Sequence, residues 1–413
     1  MEMAIRGAIV PLNKFDTFDE VMSRFADDAI VPLTLYGETY AVPVGQVTYL
    51  MYCRNDILTQ LGLEPPETWD DLMSMVPVLQ FNNMEIGMAQ DFSIYLYQSG
   101  GEYWRDEGMA TNLDSTEALD AFEYMCNMFT QYSLPVNFDA SNRFKTGEMP
   151  VLINSLDLYN TLQVFAPEIS GLWSFYQIPG TEVVDEETGE TYINRDTISF
   201  ISGVVMPRGC ENEELAWDFL DWYSDKEFQV DFCNEMVSLL GPSGKRAVSN
   251  LEAFDELTWT ESEAAILKEV YTETFALEYF PGDYFITRYT TFSFNSAVND
   301  GADPSDEILS YVADINKEIT RKRTEFDLMV NSEWKAIKEY TGFETTTEWR
   351  EYWASERGTD TGDNTCIRDE EDAEYTFRDW MSERNITTDN YEAWLKETRN
   401  EVTTLSYKEW LEQ

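Results

Sequence analysis

Between Tyr40 and Leu72 the chain reads YAVPVGQVTYLMYCRNDILTQLGLEPPETWDDL, and the rhythm of its apolar residues changes twice. A strand-like run carries the polar residue Gln46 and the aromatic Tyr49. DILTQLGL then takes helical spacing, Pro65-Pro66 breaks it, and ETWDDL opens a second helix. In that helix Trp69, Leu72, Met73 and Val76 share one face, with Thr68 as N-cap and Asp70 and Asp71 near the positive end. Further along, Phe18–Ala29 predicts a short helix, and Ser115–Thr130 carries Ala118, Leu119, Phe122 and Met125 at helical spacing. Val151–Ile153, Trp173–Pro179 and Ser199–Pro207 read as strands, and Gly100-Gly101 marks a turn. An acidic hairpin from Val183 to Asp196 turns at Thr188-Gly189. The phrase ELAWDFLDWYS, within Glu213–Ser224, puts Leu215, Phe219 and Trp222 on one helical face, which is expected to be core.

The pattern changes after Phe326. No proline follows Pro304, and half of the twelve tryptophans lie at Trp334, Trp349, Trp353, Trp380, Trp394 and Trp410. TTTEWREYWASERG and TTDNYEAWLKETRN predict short helices with Thr or Asp caps, separated by an acidic linker, Gly358–Asp372. The division is a core of residues 1–328 and a Trp-rich acidic helical extension of residues 329–413.

Composition narrows the functions available. Lys and Arg total 28 against 78 Asp and Glu, a formal net charge of -50, which repels nucleic-acid phosphates and anionic membranes. There is no histidine, so the commonest general base and metal ligand are both missing. The cysteines, Cys53, Cys126, Cys210, Cys233 and Cys366, form no C-x-x-C pair and argue against zinc or a disulfide framework. No metal, no cofactor and no catalytic residue is expected. No apolar run approaches the roughly 20 residues that span a bilayer. The opening MEMAIRGAIVPL lacks the basic and apolar regions of a signal peptide.

Several phrases in order point further. Tyr40–Leu72 resembles "Y-x-x-P … Y-N-K-D-x-L … G-L-x-x-P-x-T-W-D-E-L" of the family 1 extracellular solute-binding proteins of carbohydrate ABC importers. FKTGEM resembles that family's "F-x-x-G-x-x-A-M", ELAWDFLDWYS its "E-A-A-W-E-F-L-K-W-L", and INKEITRKRTEF the end of a long Firmicutes subgroup. The resemblance implies an α/β, two-lobe periplasmic-binding-protein fold that closes on a carbohydrate and hands it to ABC importer membrane subunits, without catalysis. In that family RGAIVPLNKFDTF falls well inside the mature chain. The resemblance therefore also implies an incomplete first lobe, a missing front bearing a lipoprotein anchor, and an extracellular, cell-surface location.

Sugars are held by aromatic faces and by carboxylates or amides that take hydroxyl hydrogen bonds. Alignment with the family assigns these roles to Gln46, Tyr49, Gln90, Asp91, Asp157, Tyr159, Trp173, Ser202, Gly203, Tyr284 and Arg288. Asp157 and Tyr159 stand where maltodextrin binders often carry tryptophans, which weighs against a long maltodextrin. Tyr49, Tyr284 and Trp173 equally suit a core, Asp91 a turn cap, and Arg288 an ion pair. Two other functions stay open. A glycoside hydrolase needs two carboxylates about 5 to 9.5 Å apart, and abundant acids supply chance pairs. Alternatively, a surface adhesion protein would bind glycan or protein through its Trp-rich tail.

Overall fold

The computed structural model describes residues 1–185, 188–357, 365–368, 373–400 and 402–413. Its centre is the long strand Ala41–Arg54, whose fourteen residues are shared by two sets of partners. The first half pairs antiparallel with Thr197–Val205, ending at Ser199 opposite Thr48. The second half pairs antiparallel with Val151–Ser155, beginning at Tyr49 opposite Ser155, and with Trp173–Tyr176. Ile86–Gly87 and Thr274–Phe275 add parallel strands at the two ends, completing a six-stranded sheet. The seam between the halves is held by Thr48, fully buried, whose hydroxyl donates to the Ile198 carbonyl at 3.0 Å.

Each half builds its own core. Around the second half, helices Trp69–Phe81, Thr116–Thr130, Asp283–Asn295 and Pro304–Glu325 bury Trp69, Leu72, Phe122, Met125, Phe294 and Ile315. Beside the first half, Val42 and Met206 pack with Leu12, Val21, Trp217 and Leu220. Local chemistry accounts for where the elements start. Thr68 and Asp71 form a reciprocal capping box that satisfies the first amides of Trp69–Phe81. Asp91 likewise caps Phe92–Gln98, the bland role open to it, and Gly62 at φ 70 closes Asn55–Leu61 in a conformation other residues resist.

Two expectations need correcting. Leu215, Phe219 and Trp222 are not core: they are 63%, 51% and 54% exposed, while Trp217 and Leu220 of the same helix face inward. An amphipathic stripe fixes which residues stay together and leaves open which stripe meets the body. The segment Phe18–Ala29 is not one helix. Phe18–Met22 and Asp27–Ile30 are separate short turns, joined through Phe25, which packs inward.

The extension is helical, as expected, with Asn331–Thr341, Thr346–Arg357, Phe377–Glu383, Thr388–Arg399 and Tyr407–Leu411. Within the expected linker, Thr365–Arg368 pairs antiparallel with Ala373–Thr376. The rest of Gly358–Asp372, the side chains of Trp353 and Cys366, and residues 186 and 187 of the acidic hairpin lie outside the described residues. Trp334, Trp349, Trp380 and Trp394 are buried against one another and against Met109 of the body. No described helix is long and apolar enough to cross a membrane.

Candidate functional site

The register of the central strands decides which side chains can meet. In an antiparallel pair, residues directly opposite project from the same face, and that face recurs every second residue. Gly45 opposes Ser202 and Val47 opposes Phe200. Gly45, Val47, Tyr49, Phe200 and Ser202 therefore line one face across the seam. The Phe200 ring, 44% exposed, meets the Tyr49 ring edge-on at 5.6 Å. Tyr49 donates its hydroxyl to Asp91 at 3.0 Å, which brings the loop before Phe92–Gln98 to the same place. Burial first, and the Asp91 charge second, push the Tyr49 phenol far above its ordinary range, so it stays a neutral donor.

At the other end of this face a cavity of about 400 Å³ opens over Gly45, Val47 and Ser202. Asp157 and Asn160 of helix Asp157–Phe165 form one wall, and Tyr223, Lys245 and Arg246 the other. Asn160 donates to the Lys245 carbonyl at 3.0 Å, while its own Oδ1 is buried and without a partner among the described residues. Such an acceptor matches a hydroxyl donor.

Tyr159 and Trp173 occupy an adjoining aromatic box with Phe175 and Trp259. There Tyr159 donates to Glu263 at 3.0 Å, and Lys245 pairs with the same carboxylate at 2.6 Å. Burial alone would raise the Glu263 pKa. The Lys245 ion pair, the Thr260 amide and the Tyr159 hydroxyl outweigh it and hold the carboxyl below its usual range.

The remaining candidates are placed elsewhere. Gln46 projects from the opposite face of the strand and donates to Asp28 at 3.2 Å, beside Thr274. Gln90 is exposed and donates to the Val136 carbonyl. Gly203 lies at a bulge in Thr197–Val205, close against Ala41 and Leu33. Tyr284 and Arg288, both exposed on Asp283–Asn295, lean on Phe285 and Phe292 rather than on the seam. Phe200 and Asn160 were not picked out from sequence. Phe200 had a legible signal, since it precedes Ser202 by two residues in a predicted strand and must share its face.

A family model of the bacterial extracellular solute-binding proteins matches residues 1–256. The chain belongs to that family. It is a family of binding proteins, not enzymes, and an extracellular one. A Brucella abortus (strain 2308) protein, which carries the provisional name of binding protein, is 26% identical over 247 residues. That match covers 55% of this chain and 56% of the relative, so the chain spans about half the length of the curated relatives it matches. Among solved structures, a Thermotoga lettingae ABC-transporter solute-binding protein bound with α-D-tagatose superposes with a TM-score of 0.64 at 16% identity. It covers 77% of this chain and 82% of its own. The GacH receptor of Streptomyces glaucescens, solved unliganded and with acarbose, gives 0.62 at 14%, covering 77% and 80%. At these identities the likeness shows the two-lobe fold.

Proposed function

We propose that the chain captures a carbohydrate at the seam of its long strand and delivers it to the membrane subunits of an ABC importer. One observation carries the reading: a single face of the Ala41–Arg54 and Thr197–Val205 pair gathers Tyr49, Phe200 and Ser202 from distant segments, between Asp91 and Asp157. Two aromatic faces suit the C–H side of a sugar ring. Asp91, Asp157, Ser202 and the spare Asn160 acceptor suit its hydroxyls. The cavity, at about 400 Å³, suits a mono- or short oligosaccharide. The tagatose and acarbose bound to the structural neighbours support the ligand class.

The binding unit is residues 1–328. Reversible capture follows from its layout. The sugar binds groups attached to one half of the sheet, and rotation about Thr48–Tyr49 adds those of the other half. Among the described residues, the extension contributes none to the seam cavity. Its described tryptophans turn inward, which favours a receptor over an adhesin.

The test is calorimetry of the purified chain against a panel of mono- and oligosaccharides. Tyr49→Ala and Asp157→Ala should each cost about 1–3 kcal/mol of binding, the loss expected when a partner is left unmatched. A sugar that binds both variants as tightly as the parent sinks the assignment.

A further inference from the structure

The seam cavity is polarised between its two walls. On one wall Asp157 is exposed, and its carboxylate has no ion pair or hydrogen bond among the described residues. On the facing wall Arg246 is exposed too. Its guanidinium forms neither an ion pair nor a hydrogen bond among the described residues, in a chain with 78 acidic side chains. It lies instead over the Phe232 ring, 5.6 Å from the centroid, and Phe232 borders the same cavity from the helix Lys226–Leu240. The Arg246 charge also reaches Cys233 in the lining: burial pushes that thiol up, and the guanidinium opposes the shift. Lys245 does not compete for a ligand's charge. Glu263 holds its ammonium at 2.6 Å, against the Tyr159 and Trp259 rings.

A second donor stands on the Arg246 wall. The Tyr223 hydroxyl has no hydrogen-bond partner among the described residues, while its ring is packed by Phe219 and Phe228. The amides nearby are already committed, Gln229 donating to the Tyr223 carbonyl and Asn160 to the Lys245 carbonyl. A guanidinium only donates and an ionised carboxylate only accepts, whereas a sugar hydroxyl does both. A neutral sugar therefore makes no use of a cavity divided in this way. A sugar acid does: its carboxylate takes the planar fork of Arg246, and its hydroxyls donate to Asp157. One guanidinium balances the single charge of a carboxylate. A phosphate dianion would leave a charge uncompensated in a chain of net charge -50.

We propose that the seam selects a sugar bearing a carboxylate, either a uronic acid or a short oligosaccharide ending in one. Arg246 and Tyr223 hold the carboxylate, and Asp157 takes hydroxyls at the other side of the ring. The inference rests on the reading of the seam as a sugar site and adds a charge to the ligand. Arg246 sets the preference for the acid, and Tyr223 supports it with a neutral hydrogen bond.

The experiment is calorimetry of the full chain with matched pairs: galacturonate and galactose, glucuronate and glucose, mannuronate and mannose. The methyl ester of each acid is added as an uncharged control. Salt is held at about 0.15 M, where diffuse repulsion by the net charge is screened beyond roughly 8 Å. In at least one pair the acid should bind at least about tenfold tighter than its neutral partner and its ester, the worth of a hydrogen bond to a charged group. Arg246→Gln should bring the acid down to the affinity of the neutral sugar, and Arg246→Lys should keep part of the advantage. Tyr223→Phe should cost the acid less than Arg246→Gln does. Because Arg246 is exposed and unpaired, Arg246→Gln should leave the melting temperature where it is. Arg288→Gln, an exposed change away from the seam, should leave the preference intact. Neutral sugars bound as tightly as their acids would overturn the inference and leave sugar capture standing. An advantage that survives Arg246→Gln, or a hexose phosphate bound in preference to the uronate, would overturn it as well. If neither acids nor neutral sugars bind, the sugar reading falls and this inference falls with it.

Discussion

At the scale of single residues, side-chain direction separates the candidates more than residue type does. Tyr49 and Gln46 are three positions apart, so pleat parity sends them to opposite faces of one strand. A sequence shows both as polar groups in an apolar run, and only the register shows which one faces the seam. Tyr49 has two separable roles, its ring against Phe200 and its hydroxyl on Asp91. Tyr49→Phe keeps the first and loses the second, so sugar affinity should fall less than in Tyr49→Ala; equal losses in calorimetry would show that the ring contributes nothing. Glu263 gives a pH signature. Its folded pKa lies below the unfolded value, so its stabilisation is fully present above the ordinary carboxylate range. That contribution is lost as pH falls through the depressed folded value. Glu263→Gln should therefore flatten the acid limb of melting temperature against pH, and an unchanged acid limb would remove Glu263 from this role.

Elements were legible where their causes are local. The Thr68 cap, the face of Trp69–Phe81, the bounds of Glu213–Ser224 and the strand after Gly147 all follow from residues within a few positions. The pairing of Thr48 with Ser199 does not, because it joins segments about 150 residues apart and depends on the rest of the fold. The orientation of Glu213–Ser224 failed for a related reason: its two stripes are both apolar, and aromatic residues cover each. This makes a sharp contrast testable. Trp217→Ala empties a site that is 3% exposed and should cost about 3–5 kcal/mol of stability. Phe219→Ser and Leu215→Ser, on the outer stripe, should stay within about 0.5 kcal/mol in denaturant unfolding. If the outer substitutions proved as costly as Trp217→Ala, the helix would be facing the other way.

For the molecule as a whole, the extension asks why a member of this family carries a further tryptophan core. Trp349 and Trp380 are nearly inaccessible and lie 4.6 Å apart, edge to face, at the middle of that core. Its links to the body are specific. Met109 inserts among the extension's apolar residues, and Glu107 accepts the Thr346 backbone amide at 2.8 Å. Arg323, also buried, donates to the Met329 carbonyl where the body's last long helix hands over to the extension. These contacts touch the second half of the body and leave the seam cavity alone. Trp380→Ala should therefore cost about 3–5 kcal/mol in the extension, read as lost hydrogen-exchange protection over Asn331–Thr341 and Thr388–Arg399. Protection of the central strand Ala41–Arg54 should persist, and sugar affinity should change by less than about twofold, because no seam residue has moved. An adhesin reverses the outcome, since its ligand would be lost together with the tryptophan core. If affinity for the sugar collapsed in Trp380→Ala while the central strand stayed protected, binding would belong to the extension, and the seam would be no more than a joint between two halves of a sheet.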